Sequence, residues 1–403
     1  MNHKAIKHFA SLCAGRVNDL KTTRPHQLPI YATSAFEFDS MDEQIHTFLN
    51  QPDEGHVYSR YGNPTVEAVA KRIADMEVFG SDLQAFGLLT SSGMSAIHIT
   101  VHSLLKPGDH IFTQGNLYGG TTELFKRVFH KYGIEVHILD FKNLDLIRES
   151  FKKCKTQALV YIESPANPTL QCIDITEIGK ISKEFNFKLI VDNTFCTPYC
   201  QKPLLLGADV VIHSTTKFLH GHGVSTGGAI IGTDASLIKE SIWTTLKLTG
   251  CNSNPFDAWM LNIGLKTLHL RMERHSENAT KLANYLEMNI KVNRVNYPGL
   301  PSHEDYTLAQ KQMSLPGALL SFELKTELPG VIRFLDQLNL ASLAPSLGET
   351  DTMVLHPASS SHLKIPRETR LKNGISDSLV RLSVGLEDAE DLIQDLEQAF
   401  LAT

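Results

Sequence analysis

Long hydrophobic runs are missing from this chain: its longest unbroken apolar stretches reach about eight residues, too few to cross a bilayer as a helix. The opening MNHKAIKHFASLCAG is basic but has no continuous apolar block, so it does not read as a secretory leader. Cysteine is scarce and scattered. Cys13, Cys154, Cys172, Cys196, Cys200 and Cys251 include no CxxC pair, which argues for reduced thiols and against a disulfide framework. Neither sign of charge dominates, with 38 Lys and Arg against 44 Asp and Glu, interspersed and summing to −6. That excludes a basic footprint for nucleic acid or an anionic membrane. No internal repeat or low-complexity segment stands out. What is present is ordinary globular composition over 403 residues, 42% hydrophobic and 20% charged, room for two or three domains of a cytoplasmic protein.

Residues 1–65 read as an arm, punctuated by Pro25, Pro29, Pro52 and Pro64 and holding only short periodic segments. From about residue 66 the texture changes. Helical patterns over 65–80, 93–105, 120–132 and 174–186 alternate with the apolar runs HIFTQ (110–114), VHIL (136–139), ALVYI (158–162), KLIVD (188–192), DVVIH (209–213) and GAIIG (228–232). Unbroken apolar strands spaced by helices predict a mostly parallel sheet covered on both faces. Asp257 to Leu286 reads as one long amphipathic helix leading out of this domain. Strand-like RVNYPG, ALLSFEL and VRLSVGL and a closing helix at 387–401 follow it. The expected organisation is an arm (1–65), an α/β domain (66–256) and a smaller α/β domain with its bridging helix (257–403). Ligands of open α/β sheets gather outside the carboxyl ends of the strands, so polar residues that end a strand are the first candidates.

Asp192 ends KLIVD, and Lys217 comes soon after DVVIH, one βαβ step later, so both should emerge at one sheet edge. As an isolated pair they read more readily as a simple salt bridge. Ser214 and Thr216 beside the lysine, and the turn-then-helix pattern SSGMSAI (91–97), add hydroxyls and helix N-terminal amides, the groups a phosphate dianion needs. A lysine for an aldehyde and a carboxylate to keep a ring nitrogen protonated then suit pyridoxal 5′-phosphate (PLP). Pattern alone makes Arg381 a solvent-facing strand residue and Tyr118 a loop aromatic. His220 and His222 have no third ligand nearby, so no metal is expected there. Cys196 and Cys200 lack a partner base and read as packing residues.

Eight segments resemble, in order, the PLP-dependent enzymes of cysteine and methionine metabolism, the trans-sulfuration family of cystathionine γ-synthase, cystathionine γ-lyase, methionine γ-lyase and O-acetylhomoserine sulfhydrylase. They are YSRYGNPT (58–65), SSGMSAI (91–97), LYGGT (117–121), ESPANPT (163–169), VDNTF (191–195), HSTTKFLHGHG (213–223), SLG (346–348) and VRLSVGLED (380–388). One Ser-x-Thr-Lys recurs by chance; eight ordered segments do not. The resemblance implies a PLP-dependent transferase fold of the aspartate aminotransferase type. It implies that Lys217 carries PLP as a Schiff base and shuttles protons, while Asp192 pairs with the ring nitrogen. Gly93 and Met94 amides and the Ser214 and Thr216 hydroxyls would hold the phosphate, and Asn167 would contact the phenolic oxygen. Tyr118 would stack on the ring and serve the leaving group as acid and base. Arg381 and Ser346 would bind the substrate, Arg381 by its α-carboxylate. Tyr58 and Arg60 would reach the phosphate of a neighbouring subunit, making a homodimer or homotetramer the working unit, with no nucleic-acid or membrane partner.

The resemblance further implies a carbon–sulfur γ-lyase, which eliminates at Cγ of cystathionine, methionine or homocysteine to give 2-oxobutanoate, ammonia and a thiol. The alternative is γ-replacement, by a cystathionine γ-synthase or an O-acetylhomoserine sulfhydrylase. An aminotransferase on the same fold and a PLP-binding protein without turnover are the other readings. Gly120 stands where methionine γ-lyases usually have Cys, and KLTG (247–250) replaces their Lys-Asp-Met. Val57 stands where cystathionine γ-lyases commonly have Glu. Glu349 and Asp351 are the candidates for the acid that often follows SLG. Asn-Pro-Thr at 63–65 argues against a bacterial β-lyase.

Overall fold

The computed structural model describes residues 8–15 and 25–402; the remainder of the expected arm lies outside the described residues. Seven strands build the larger sheet: β1 (Phe86–Thr90), β2 (His110–Thr113), β3 (Glu135–Ile138), β4 (Ala158–Glu163), β5 (Lys188–Asp192), β6 (Val210–Ser214) and β7 (Gly228–Gly232). Their spatial order is β1-β7-β6-β5-β4-β2-β3. Strands β2 to β6 run parallel, and β7 lies antiparallel to β6 and β1. The inner strands are buried on both faces. Val160 and Ile162 of β4 enter one core, Leu159 and Tyr161 the other. This double burial is why these strands read as unbroken apolar runs rather than as alternating ones.

Crossover helices Leu144–Lys153 and Ile175–Glu184 return the chain so that β4 and β5 start at one edge and end at the other. Glu163 and Asp192 are direct register partners there, and Ser214 ends β6 on the same edge. Asn sidechain capping sets where some of these helices begin: Asn63 accepts the Thr65 amide and Asn143 that of Leu146.

Some elements escaped the sequence reading. FGLLT, now β1, is buried only at its last two residues, so its apolar signal is weak. Helix Leu144–Lys153 buries only Ile147 and Phe151. The single helix expected over 257–286 is in fact two, Pro255–Leu265 and Leu268–Met288. The break has a partner. Arg271, one turn into the second helix, donates to the Gly264 carbonyl at 2.8 Å and to the Phe218 carbonyl at 2.7 Å. It pins the loop that follows Lys217.

The smaller sheet runs β10-β11-β12-β9-β8, from β8 (Val292–Asn296), β9 (Leu319–Leu324), β10 (Ser342–Leu343), β11 (Met353–Leu355) and β12 (Leu379–Ser383). Phe322, Phe334, Val380 and Leu396 centre its separate core. No described helix is long and apolar enough to cross a membrane.

Candidate active site

Lys217 lies in the turn after β6, half out of the core. Its Nζ donates to Ser346 Oγ at 3.1 Å. Burial pulls its pKa below the ordinary lysine value, and the Arg381 charge adds to this while Glu349 opposes it. A less basic amine is the form that can attack a carbonyl or take a proton. Arg381 projects from β12 and is only 3% exposed, so the solvent-facing pattern reading is corrected: its cation is inside. Its Nη2 donates to the Ser346 carbonyl at 2.8 Å and its Nη1 to Asn167 Oδ1 at 3.3 Å, while the buried Nε meets no acceptor among the described residues. Burial lowers its pKa to about 10, so the guanidinium stays charged at neutral pH. The structure thus brings Lys217, Ser346, Arg381 and Asn167 together from two domains.

Asp192 stands at the strand edge. One carboxylate oxygen accepts the Thr194 amide at 3.0 Å, and the other accepts the Tyr161 hydroxyl at 3.1 Å. Burial raises its pKa, against the Thr194 hydrogen bonds that lower it. Glu163, its register partner, accepts the Tyr118 amide with both oxygens at 3.0 and 2.9 Å. Burial and the nearby Asp192 charge push its pKa well above the usual carboxylate range. Two acids at one edge cannot both ionise cheaply, and Asp192 is the less enclosed of the two. Tyr118 is 45% exposed, and its ring lies over Gly120, whose missing Cβ would fall 2.6 Å from it.

Helix Gly93–Leu104 begins beside β6. Ser92 caps it by accepting the Ser95 amide, and the Ala96 amide closes on the Ser92 carbonyl. The amides of Gly93 and Met94 meet no acceptor among the described residues and so remain available to an anion. A Cβ at position 93 would lie 2.8 Å from that of Ser214, so only glycine lets the two segments approach this closely. The Ser214 amide is fixed by Thr194 Oγ1 at 2.8 Å. Thr216 Oγ1 is engaged with the Gly227 backbone, donating to its carbonyl at 3.3 Å and accepting its amide at 3.0 Å.

Not every predicted residue joins this cluster. Arg60 packs over the rings of Tyr58 and Tyr61 and donates to the Lys247 carbonyl. A cavity of about 1570 Å³ lies under the arm, lined by Leu28, Phe36, Arg60, Tyr61 and Trp243, and Lys217, Asp192 and Arg381 are not in its wall. The chemistry-bearing groups, not the volume, locate the site. His222 Nδ1 bonds the His220 carbonyl at 2.8 Å. Cys196 and Cys200 are buried with raised pKa values, Cys200 at about 12, which suits packing. Glu163, Tyr161 and Thr194 went unassigned in the sequence. The rule that found Asp192, a polar residue ending a strand, applies equally to Glu163.

An amine of lowered pKa, a carboxylate with acceptor capacity to spare, two open helix amides and a buried guanidinium with a free N–H fit PLP and an amino-acid carboxylate. The fold and site define a PLP-dependent enzyme. The chain matches the model of the Cys/Met metabolism PLP-dependent enzyme family over residues 10–401, and it belongs to that family. It is 44% identical over 373 residues to an L-methionine gamma-lyase of Fusobacterium nucleatum subsp. polymorphum, covering 92% of both chains. It is 42% identical over 385 residues to a cystathionine beta-lyase of Lactococcus lactis subsp. cremoris, covering 96% of both. It also resembles the crystal structure of cystathionine gamma-lyase from Lactobacillus plantarum complexed with L-serine, with TM-score 0.89, 37% identity and coverage of 98% and 99%. A relative named as a β-lyase at this level removes the force of the Asn-Pro-Thr argument against β-elimination.

Proposed function

We propose that the chain is a γ-eliminating carbon–sulfur lyase that converts L-cystathionine, and less readily L-methionine or L-homocysteine, to 2-oxobutanoate, ammonia and a thiol. The observation that carries this reading is the convergence of the Lys217 amine and the Arg381 guanidinium on Ser346. A substrate whose α-carboxylate pairs with the Arg381 guanidinium presents its Cα to Lys217. PLP, when bound, supplies a protonated ring that draws electrons from Cα. Lys217 would hold the cofactor, with Asp192 keeping a proton on the ring nitrogen. Gly93, Met94, Ser214 and Thr216 would receive the phosphate, and Asn167 the phenolic oxygen. Lys217 would then move the Cα and Cβ protons, and the Tyr118 hydroxyl would protonate the departing thiolate.

Glu349 supports cystathionine over methionine. Its carboxylate lies against Gly223, where a Cβ would sit 2.1 Å from Oε2, and it acts on Lys217 electrostatically. An acid there suits the distal ammonium that cystathionine has and methionine lacks. Gly120 leaves the Tyr118 ring in place where a cysteine side chain would press on it. γ-Replacement uses the same residues, with a second thiol entering instead of water.

The arm supports a further assignment, that Tyr58 and Arg60 complete the phosphate site of a neighbouring subunit in a homodimer or homotetramer. Six free cysteines suit the cytoplasm.

A substrate panel tests the reaction. Cystathionine, methionine, homocysteine and cysteine alone, and O-acetyl- or O-succinylhomoserine with cysteine or sulfide, are compared by 2-oxobutanoate against thioether formed. 2-Oxobutanoate from cystathionine, absent in Lys217→Ala, is expected. Thioether as the main product from the acylhomoserines would replace this reading with the synthase one, and pyruvate from cystathionine would replace it with β-elimination.

A further inference from the structure

At the end of the larger sheet opposite the site described above, β2 and β3 begin with His110 and Glu135, which are Cα register partners; Phe112 pairs in the same way with His137. Residues two apart on a strand share a face, so His110, Glu135 and His137 project to one side of the sheet edge. Their ligand atoms converge. His110 Nδ1 lies 2.9 Å from His137 Nε2, His110 Nδ1 lies 3.5 Å from a Glu135 carboxylate oxygen, and that oxygen lies 3.9 Å from His137 Nε2.

These separations have a meaning. Ligands held at the usual 2.0–2.2 Å from a tetrahedral zinc ion stand about 3.3–3.6 Å apart, inside the range found here. Two imidazoles and one carboxylate leaving a fourth position open form a donor set for Zn²⁺ or its first-row neighbours, and exclude Mg²⁺ and Ca²⁺, which demand oxygen. The His137 ring is not free to drift. It stacks on Phe112 at 4.9 Å and 25°, and Phe112 packs on Phe151 of the core at 4.7 Å. The open side faces water: the Glu135 side chain is 67% exposed, and those of His137 and His110 are 38% and 18%.

We infer that His110, Glu135 and His137 form a peripheral binding site for a divalent transition-metal ion of the zinc class, with water as the fourth ligand. The ion would tie the edge strand β3, which has a strand neighbour on one side only, to β2. Its role is structural, since the carboxyl ends that carry Glu163, Asp192 and Ser214 lie at the other end of the strands.

The test uses tag-free holoenzyme freed of metal by a chelator and titrated with ZnCl₂ in a calorimeter, beside Glu135→Ala and the double variant His110→Asn, His137→Asn. Glu135 is exposed, so its removal leaves the fold intact. Wild type should bind one Zn²⁺ per chain, with MgCl₂ giving no heat. Because even losing a group that only orients a ligand costs about 10- to 100-fold in metal affinity, Glu135→Ala should lose at least tenfold and the double variant all binding. Zn²⁺ should raise the Tm of wild type alone. No binding by wild type, or equal affinity in wild type and Glu135→Ala, overturns the proposal.

Discussion

Lys217 Nζ donates to Ser346 Oγ across 3.1 Å, and the main-chain carbonyl of the same serine accepts from Arg381. One loop residue of the smaller domain therefore positions both the base and the carboxylate-binding cation. Ser346→Ala removes the hydroxyl and keeps the carbonyl. A hydrogen bond of this kind is worth about 0.5–1.5 kcal/mol net, so kcat should fall roughly two- to tenfold while the cofactor absorbance is unchanged. Steady-state kinetics on cystathionine decide it: an unaltered kcat means that the hydroxyl does not hold the amine.

Arg381 offers its substrate a fork as well as a charge. Lysine in its place keeps the charge but cannot reproduce the forked bonds to Asn167 and Ser346. Arg381→Lys should cost about 2–3 kcal/mol in kcat/KM, roughly 30- to 150-fold, mostly through KM. The cofactor spectrum should persist. If KM stays put while PLP is lost, Arg381 serves the cofactor rather than the substrate.

Much of this arrangement was legible in the sequence, and the parts that were not have physical reasons. The parallel strands announced themselves because double burial makes them continuously apolar, as in ALVYI and KLIVD. Asp192 was found because it breaks such a run at its carboxyl end. Arg381 was misplaced by pattern because a strand alternation cannot tell solvent from a polar cleft; both accept a charge. The break at Lys266–Thr267 was invisible because the helical period carries across it, and only Arg271, reaching back to Gly264 and Phe218, shows what the break serves. The His110, Glu135 and His137 cluster was hidden for a different reason. Its members meet through the register of two strands twenty-five residues apart in the chain, which no local motif encodes.

Glu163 gives a pH prediction for the cofactor-free protein. Its folded pKa stands well above the ordinary carboxyl value of 4.5, chiefly from burial and then from Asp192, although the Tyr118 and Asn167 amides pull it down. The folded state therefore holds a proton that the unfolded state has released, and stability falls as pH rises from about 4.5 through the folded pKa. Glu163→Gln removes this loss and keeps an acceptor for Tyr118. The variant should match wild type at the acid end and be the more stable of the two at pH 8. Urea midpoints at the two pH values measure the difference; a variant equally or less stable at pH 8 would show that Glu163 is comfortable as a carboxylate.

Arg60 is held by Tyr58, Tyr61 and the Lys247 carbonyl, and it makes no contact with Lys217, Asp192 or Ser214 of its own chain. On the proposed reading, a cation so placed serves the phosphate of a neighbouring subunit. Arg60→Ala and Lys217→Ala should each be inactive or nearly so, the first through loose cofactor and the second through the missing amine. Mixed under conditions that let subunits exchange, they behave differently from either alone. In a mixed pair, one site combines the Lys217 of the first variant with the Arg60 of the second and is complete, while the other lacks both. Random exchange at equal concentrations makes half of the pairs mixed, so about a quarter of wild-type activity should return. Activity that stays at the sum of the two parents after exchange has been demonstrated, by native mass spectrometry of differently tagged chains, would confine Arg60 to its own subunit and remove the reason for the arm.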